Sequence, residues 1–202
     1  MQCFHATSTG LTPITDSNRL LHLPESKIPV MSTNVYSVSQ VLFSPDGSKL
    51  LATVKGLPTN GDAPGFLAAW DVYSDGSLSQ NHSTYYPPTR AGQNEWGFTY
   101  LFGSEGYVVA DAVQGAVLYD FSKGYDPKNV VSKNLAIPGQ MASCWISYSS
   151  KTQSYFFTDA IAQIIFEYTV DANLDATHVA NHNFAQGLGI IDSAISTVGK
   201  NQ

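Results

Sequence analysis

The sequence predicts an all-β protein, specifically a β-propeller of four-stranded antiparallel blades. Charged residues make up only 13% of the chain and aromatic residues 12%, with 16 Gly and 10 Pro, a mixture typical of strands separated by turns. In residues 41–53 (VLFSPDGSKLLAT), two apolar runs flank a Ser-Pro-Asp-Gly-Ser turn, which predicts a β-hairpin. Similar groups of strands return with a period of roughly 45–60 residues, which is typical of propeller blades.

The repeats divide residues 1–202 into consecutive parts of one propeller segment. The predicted parts are blade ends at 1–38, complete blades at 39–86, 95–138 and 142–182, and the start of the next blade at 187–202. Because the chain starts on a third strand and stops after a first strand, we expect a partial ring whose remainder lies in another chain or is not seen. A β-sandwich with accidental self-similarity is the alternative.

Each complete blade is expected to hold four strands in up-and-down order, because each apolar run is followed by a turn signal. Residues 2–6 and 11–23 predict two strands before the hairpin. The other predicted strands are 65–72, 78–85, 97–102, 107–110, 116–121, 130–137, 144–148, 154–158, 163–170, a weak outer strand to 179, and the innermost strand of the next blade at 189–194.

Composition excludes some classes of function. The formal net charge of −6 and the lack of any Lys/Arg run argue against nucleic acid as a partner. No apolar stretch approaches the ~20 residues that cross a bilayer, so no membrane span is expected. Cys3 and Cys144 fall on strands several blades apart, too far for the Cα separation of about 7 Å that a disulfide allows, so we expect them not to pair.

Several stretches resemble one known family. They are Gln2-Cys3-Phe4, residues 39–56 (SQVLFSPDGSKLLATVKG), 64–77 (PGFLAAWDVYSDGS) and 137–145 (IPGQMASCW). They are similar to the fungal, usually secreted branch of the seven-bladed lactonase-like propellers, the group named after carboxy-cis,cis-muconate cyclase and phosphogluconolactonase. The resemblance implies that the chain holds about four blades out of seven.

The resemblance also implies a location and a chemistry. It suggests a secreted or cell-surface glycoprotein, with the sequon Asn81-His82-Ser83 as a glycosylation site, although the chain shows no signal peptide.

The resemblance implies hydrolysis or cycloisomerisation of a small acidic lactone in the central funnel, without a cofactor. No histidine precedes an innermost strand, so no cyclase motif is matched. The alternatives are a non-catalytic secreted propeller that binds a glycan or a protein, and a structural surface antigen. The resemblance further suggests that Cys3 pairs with a cysteine outside this chain.

Propeller geometry selects the candidate site residues. The loops that lead into innermost strands, and those that join second to third strands, share one face near the central channel. The predicted catalytic residues there are Arg90, Glu95, Asp111 and Asp159, and the predicted binding residues are Gln40, Lys55 and Trp96. A cation would hold a carboxylate or a developing enolate, and a carboxylate would move a proton.

Three alternatives stay open for these residues. Glu95, Asp111 and Asp159 could hold a divalent cation such as Ca²⁺ through oxygen ligands, although no dedicated metal site is expected. Asp111 and Asp159 could instead cap turns by accepting backbone N–H groups. Trp96 could stack on a sugar or pack between blades.

Overall fold

The computed structural model describes residues 2–21, 23, 36–56, 64–89, 94–184, 187 and 189–196, and this part of the chain is built from strands and turns without a helix. A two-stranded hairpin comes first, formed by β1 (Phe4–Thr7) and β2 (Gly10–Pro13). Three four-stranded antiparallel sheets follow, with the strands of each sheet in chain order. The predicted all-β fold of four-stranded blades is confirmed.

The first sheet holds β3 (Val38–Phe43), β4 (Lys49–Val54), β5 (Phe66–Asp71) and β6 (Ser83–Tyr85). The second sheet holds β7 (Glu95–Tyr100), β8 (Gly106–Asp111), β9 (Gly115–Asp120) and β10 (Val131–Ala136). The third sheet holds β11 (Ser143–Ser149), β12 (Ser154–Asp159), β13 (Ile164–Val170) and β14 (Ala176–Asn183).

The β3–β4 turn is formed by the Ser-Pro-Asp-Gly-Ser motif. Gly47 has a φ of 72° and donates its N–H to the carbonyl of Ser44 at 2.9 Å, a conformation that glycine adopts without steric cost. The Ser44 hydroxyl accepts the N–H of Lys49 at 2.9 Å and donates to Asp46 at 2.5 Å. Hydrogen bonds from Ser44 and Ser48 together lower the pKa of Asp46 to about 2. The turn is thus closed by its own side chains.

The core lies between the sheets rather than inside any one of them. One apolar cluster joins the first and second sheets and contains Leu51, Phe98 and Phe121. Another joins the second and third sheets and contains Val108 and Phe157. Because the central strands are covered on both faces, every residue of β8 is buried, whereas the outer strand β10 alternates in exposure. Each blade therefore depends on its neighbour for burial.

Gly97 lets the innermost strands of the second and third sheets approach closely. A Cβ atom at this position would lie 2.8 Å from Cδ2 of Trp145 and 3.1 Å from its Cα. Gly97→Ala is therefore expected to lower the free energy of unfolding by about 1–3 kcal/mol, because the strands must move apart. Denaturant titration measures this loss, and an unchanged midpoint would contradict the close packing.

Two predicted strands are shorter in the structure than the sequence indicated, and a third, at 189–194, is absent. The predicted strand at 11–23 is wrong beyond β2, because after Ile14 the chain turns and the Ser17 hydroxyl donates to the Ile14 carbonyl at 2.7 Å. The predicted strand at 78–85 reduces to β6, because the carbonyls of Leu78 and Ser79 accept hydrogen bonds from the Arg19 guanidinium.

Residues 189–196 form no strand, in contrast to the innermost strand predicted at 189–194. The segment nevertheless lies against the third sheet: the carbonyl of Ile191 accepts the Thr158 hydroxyl at 3.2 Å, and the hydroxyls of Ser193 and Ser147 lie 2.9 Å apart. No described strand runs beside it to form the hydrogen-bonded ladder that defines a strand.

Two further expectations concern cysteines and membranes. Cys3 and Cys144 are both free, which confirms that they do not pair with each other. In the described ranges, no helix has the length and apolar character to cross a bilayer.

Candidate functional site

The candidate site lies where the innermost strands begin and the second strands end. Each innermost strand carries a β-bulge at its start, so that Glu95 pairs with Asp111 in the second sheet and Ser143 pairs with Asp159 in the third. Lys55, which follows β4, forms an isolated antiparallel bridge with Asn94. The fold thus brings the candidate residues of consecutive blades to one end of the sheets.

Asp159 joins two loops through backbone hydrogen bonds. Its side chain is fully buried. One carboxylate oxygen accepts the N–H groups of Met141 and Ala142 at 2.7 and 2.9 Å, and the other accepts those of Ile161 and Ala162 at 2.9 and 2.7 Å. Both oxygens are occupied, which is the arrangement expected of a turn-capping aspartate.

Asp111 has the same role one blade earlier. Its carboxylate accepts the N–H of Asn94 at 2.9 Å and those of Val113 and Gln114 at 2.8 Å each. Burial raises the pKa of Asp111, and the three backbone hydrogen bonds oppose that rise. The structure favours the capping interpretation of both aspartates; their catalytic role stays a prediction.

Glu95 is enclosed rather than open to the channel. Its side chain has no exposed surface, and the Tyr119 hydroxyl donates to its Oε1 at 2.6 Å. Burial, together with the nearby charge of Asp111, raises the pKa of Glu95 well above its ordinary value. The direction of this shift favours the protonated acid over the carboxylate. Sequence reasoning did not identify Tyr119, because β9 carries no motif that links it to β7.

Lys55 and Trp96 form a cation–π pair. The Lys55 ammonium lies 3.6 Å from the centroid of the Trp96 ring, so one face of the indole is already covered. Lys55 is only 9% exposed, and burial lowers its pKa. Among the described residues, no carboxylate lies within salt-bridge distance of this ammonium.

The thiol of Cys144 interacts electrostatically with Lys55. Burial raises the pKa of Cys144, with a further rise from the charge of Asp159 and an opposing effect from Lys55. The Sγ atom lies 3.2 Å from the carbonyl oxygen of Ala142. A protonated, hydrogen-bonded thiol of this kind is a poor nucleophile.

Gln40 links two blades. Its Oε1 accepts the N–H of Phe98 at 2.6 Å, and its own N–H donates to the hydroxyl of Thr53 at 3.2 Å. That hydroxyl donates to the carbonyl of Trp96 at 2.5 Å. Gln40 therefore positions the strand that carries Trp96, and its predicted binding role stays a prediction. Arg90 lies outside the described residues.

Several buried polar atoms at this end of the sheets lack a partner in the described part of the chain. They are Oδ1 of Asn94, Oε2 of Glu95, Nε1 of Trp96 and Oγ of Ser143. Buried polar atoms are normally hydrogen-bonded, so ordered water is the partner expected at these positions. No group of three His, Cys, Asp or Glu side chains suited to a metal ion occurs within the described ranges.

No protein-family model matches this chain, and no curated protein matches it either. Solved structures do match. A protein from Lactobacillus plantarum aligns with 74% of this chain at 12% identity and a TM-score of 0.55, and the alignment covers 43% of that protein. The periplasmic gluconolactonase of Pseudomonas aeruginosa aligns with 73% of this chain at 14% identity and a TM-score of 0.53, covering 42% of that enzyme.

These matches define the class of fold. The chain consists of blades of a β-propeller, and the same fold is found in a gluconolactonase. The chain spans less than half the length of these two solved structures.

Proposed function

We propose that this propeller binds a small acidic lactone or the corresponding sugar acid at the channel end of its innermost strands, with Lys55 as the cation that holds the carboxylate. The observation that carries the proposal is the nearly buried Lys55 ammonium, which rests on Trp96 without a carboxylate partner in the described residues. A desolvated cation gains strongly from an anionic ligand, because a charge-assisted hydrogen bond replaces its lost hydration.

The residues beside Lys55 support the same ligand class. Asn94 pairs with Lys55 across the isolated β-bridge, and the Trp96 ring lies against its ammonium. These polar and aromatic neighbours suit a hydroxylated acidic ligand better than a purely apolar molecule.

Lactone hydrolysis is the second candidate function. It is supported by the gluconolactonase that shares the fold and by Lys55, which could stabilise the developing oxyanion at the lactone carbonyl. The occupied oxygens of Asp111 and Asp159 argue for binding without turnover, because a proton-transfer base needs a free oxygen. Cycloisomerisation, and catalytic roles for Arg90, Glu95, Asp111 and Asp159, remain part of this second proposal.

An extracytoplasmic location is proposed with this function. The sequon residue Asn81 is exposed, as a glycosylation site must be, and one solved structure with this fold is a periplasmic enzyme. A glycosidase-induced mass shift of the protein from its native source, absent after Asn81→Gln, would test the modification.

Lys55→Met is expected to weaken binding of gluconate by at least about tenfold, because it keeps the aliphatic stem and removes the charge that pairs with the carboxylate. Isothermal titration of the full-length protein with gluconate measures affinity, and pH-stat titration with glucono-δ-lactone measures turnover. Lys133→Met is the matched control, since Lys133 is an exposed lysine on β10 that pairs with Asp175 in the turn before β14. Equal behaviour of the two variants would contradict the proposed site, and binding without turnover would reject the hydrolytic candidate.

A further inference from the structure

A second candidate site lies at the opposite end of the same sheets. Phe102 follows the end of β7, and Tyr148 lies near the end of β11, so both are one strand length from the candidate site. At about 3.3 Å per residue, this separates Phe102 from Trp96 by roughly 20 Å. The two locations are therefore independent.

Phe102 and Tyr148 form a platform from two adjacent blades. Their rings are nearly parallel, at an interplanar angle of 10° and a centroid distance of 3.8 Å. Phe102 is 49% exposed although it is a large apolar side chain. An exposed ring beside a groove offers a flat apolar face on which a ligand can stack.

Contacts with Tyr155 and Tyr100 hold the platform in place. The buried Tyr155 hydroxyl accepts the N–H of Phe102 at 2.9 Å, and the Tyr155 ring lies 4.9 Å from the ring of Tyr148. The ring of Tyr100 contacts Phe102 at 6.4 Å in an edge-to-face arrangement. These contacts fix the rings without a ligand, so binding would cost little ordering entropy.

The groove beside the platform has a volume of about 500 Å³. Besides the aromatic residues it is lined by Ser150, Gln153 and Thr169, and none of the described lining residues is charged. Its lining thus combines aromatic residues with uncharged residues that can form hydrogen bonds. A pyranose ring has the matching chemistry, because its C–H face is apolar and its rim carries hydroxyls. A charged ligand would find no counter-charge among these described residues.

We propose that this groove, formed by Phe102, Tyr148, Gln153 and Thr169, binds a neutral oligosaccharide, with a sugar ring stacked on the outward face of Phe102, whose other face lies on Tyr148. The protein would then hold a glycan chain at one end of its sheets and a small acidic ligand at the other. The inference does not depend on the proposed function of the Lys55 site.

Saturation-transfer NMR on the full-length protein tests the inference. The neutral probes are cellohexaose, mannohexaose and the hexamer of N-acetylglucosamine, and hexagalacturonate is the anionic comparison. We expect saturation of the ring protons of at least one neutral probe, and a roughly tenfold weaker affinity in Phe102→Ala. Gln153→Asn should weaken binding about threefold, and asparagine tolerates the positive φ of 56° at this position.

Controls separate the outcomes. Tyr73→Ala removes an exposed aromatic with no ring contact in the described chain, and it should leave affinity unchanged. Lys55→Met should also leave glycan binding unchanged, so failure of the lactone site does not affect this test. The inference is overturned if no neutral probe shows saturation transfer, if hexagalacturonate binds more tightly, or if Tyr73→Ala weakens binding as much as Phe102→Ala. Thermal melts confirm that the variants are folded.

Discussion

Asp159→Ala is expected to lower the free energy of unfolding by about 3–5 kcal/mol, because four buried backbone donors lose their acceptor at once. The carboxylate is fully buried and accepts four backbone N–H groups, two from the loop that leads into β11 and two from the β12–β13 turn. Alanine would leave these amides without acceptors in the protein interior, and each buried donor without a partner is costly. Urea titration monitored by circular dichroism measures the loss.

Two variants show whether the hydrogen bonds cause this effect. Asp159→Asn keeps one acceptor oxygen but turns an NH₂ group toward two N–H donors, so we expect a loss nearly as large as that of alanine. Asp171→Ala is the matched control, because Asp171 accepts two backbone N–H groups in an exposed turn of the same blade. Its loss should stay below about 1 kcal/mol. A loss of that small size for Asp159→Ala would remove the structural role assigned to this residue.

Glu95→Gln is expected to become more stable than the wild type as the pH rises above 4.5, by up to about 1–3 kcal/mol. Burial raises the pKa of Glu95 well above its ordinary value of 4.5, so the folded protein keeps this carboxyl protonated while the unfolded chain ionises it. Below the ordinary pKa the carboxyl is protonated in both the folded and the unfolded state, so its ionisation does not change the free energy of unfolding. Above it, the free energy of unfolding of the wild type falls by up to about 1.4 kcal/mol per pH unit, until the pH passes the raised pKa of Glu95.

Glutamine retains the acceptor for the Tyr119 hydroxyl and cannot ionise. The difference in unfolding free energy between the variant and the wild type should therefore grow from pH 4 to pH 8, in favour of the variant. Urea titrations at a series of pH values measure it. Glu105→Gln, at an exposed glutamate in the β7–β8 turn, should show no such trend. A constant difference across this pH range would mean that Glu95 is ionised in the folded protein.

The sequence predicted where the site residues lie better than it predicted what each of them does. Asp111 and Asp159 could be placed at equivalent ends of second strands, because a turn residue after an apolar run marks that position. Part of the hydrogen bonding to their carboxylates comes from backbone amides in the loops that lead into β7 and β11. These loops are distant in sequence from the ends of the second strands. The enclosure of Glu95 depends in the same way on Tyr119, two strands later.

By itself, the sequence determined the antiparallel strand order, the hairpin at the Ser-Pro-Asp-Gly-Ser turn and the repetition of blades, because these follow from local turn chemistry and from the spacing of apolar runs. Only the tertiary structure decided which side chains already have a hydrogen-bond or ring partner. It placed the Lys55 ammonium on the Trp96 ring, bonded Asp111 and Asp159 to backbone amides of the loops that lead into β7 and β11, and stacked Phe102 on Tyr148. The physical reason is that each contact joins residues far apart in the chain, and burial and hydrogen bonding at such contacts depend on how neighbouring sheets pack.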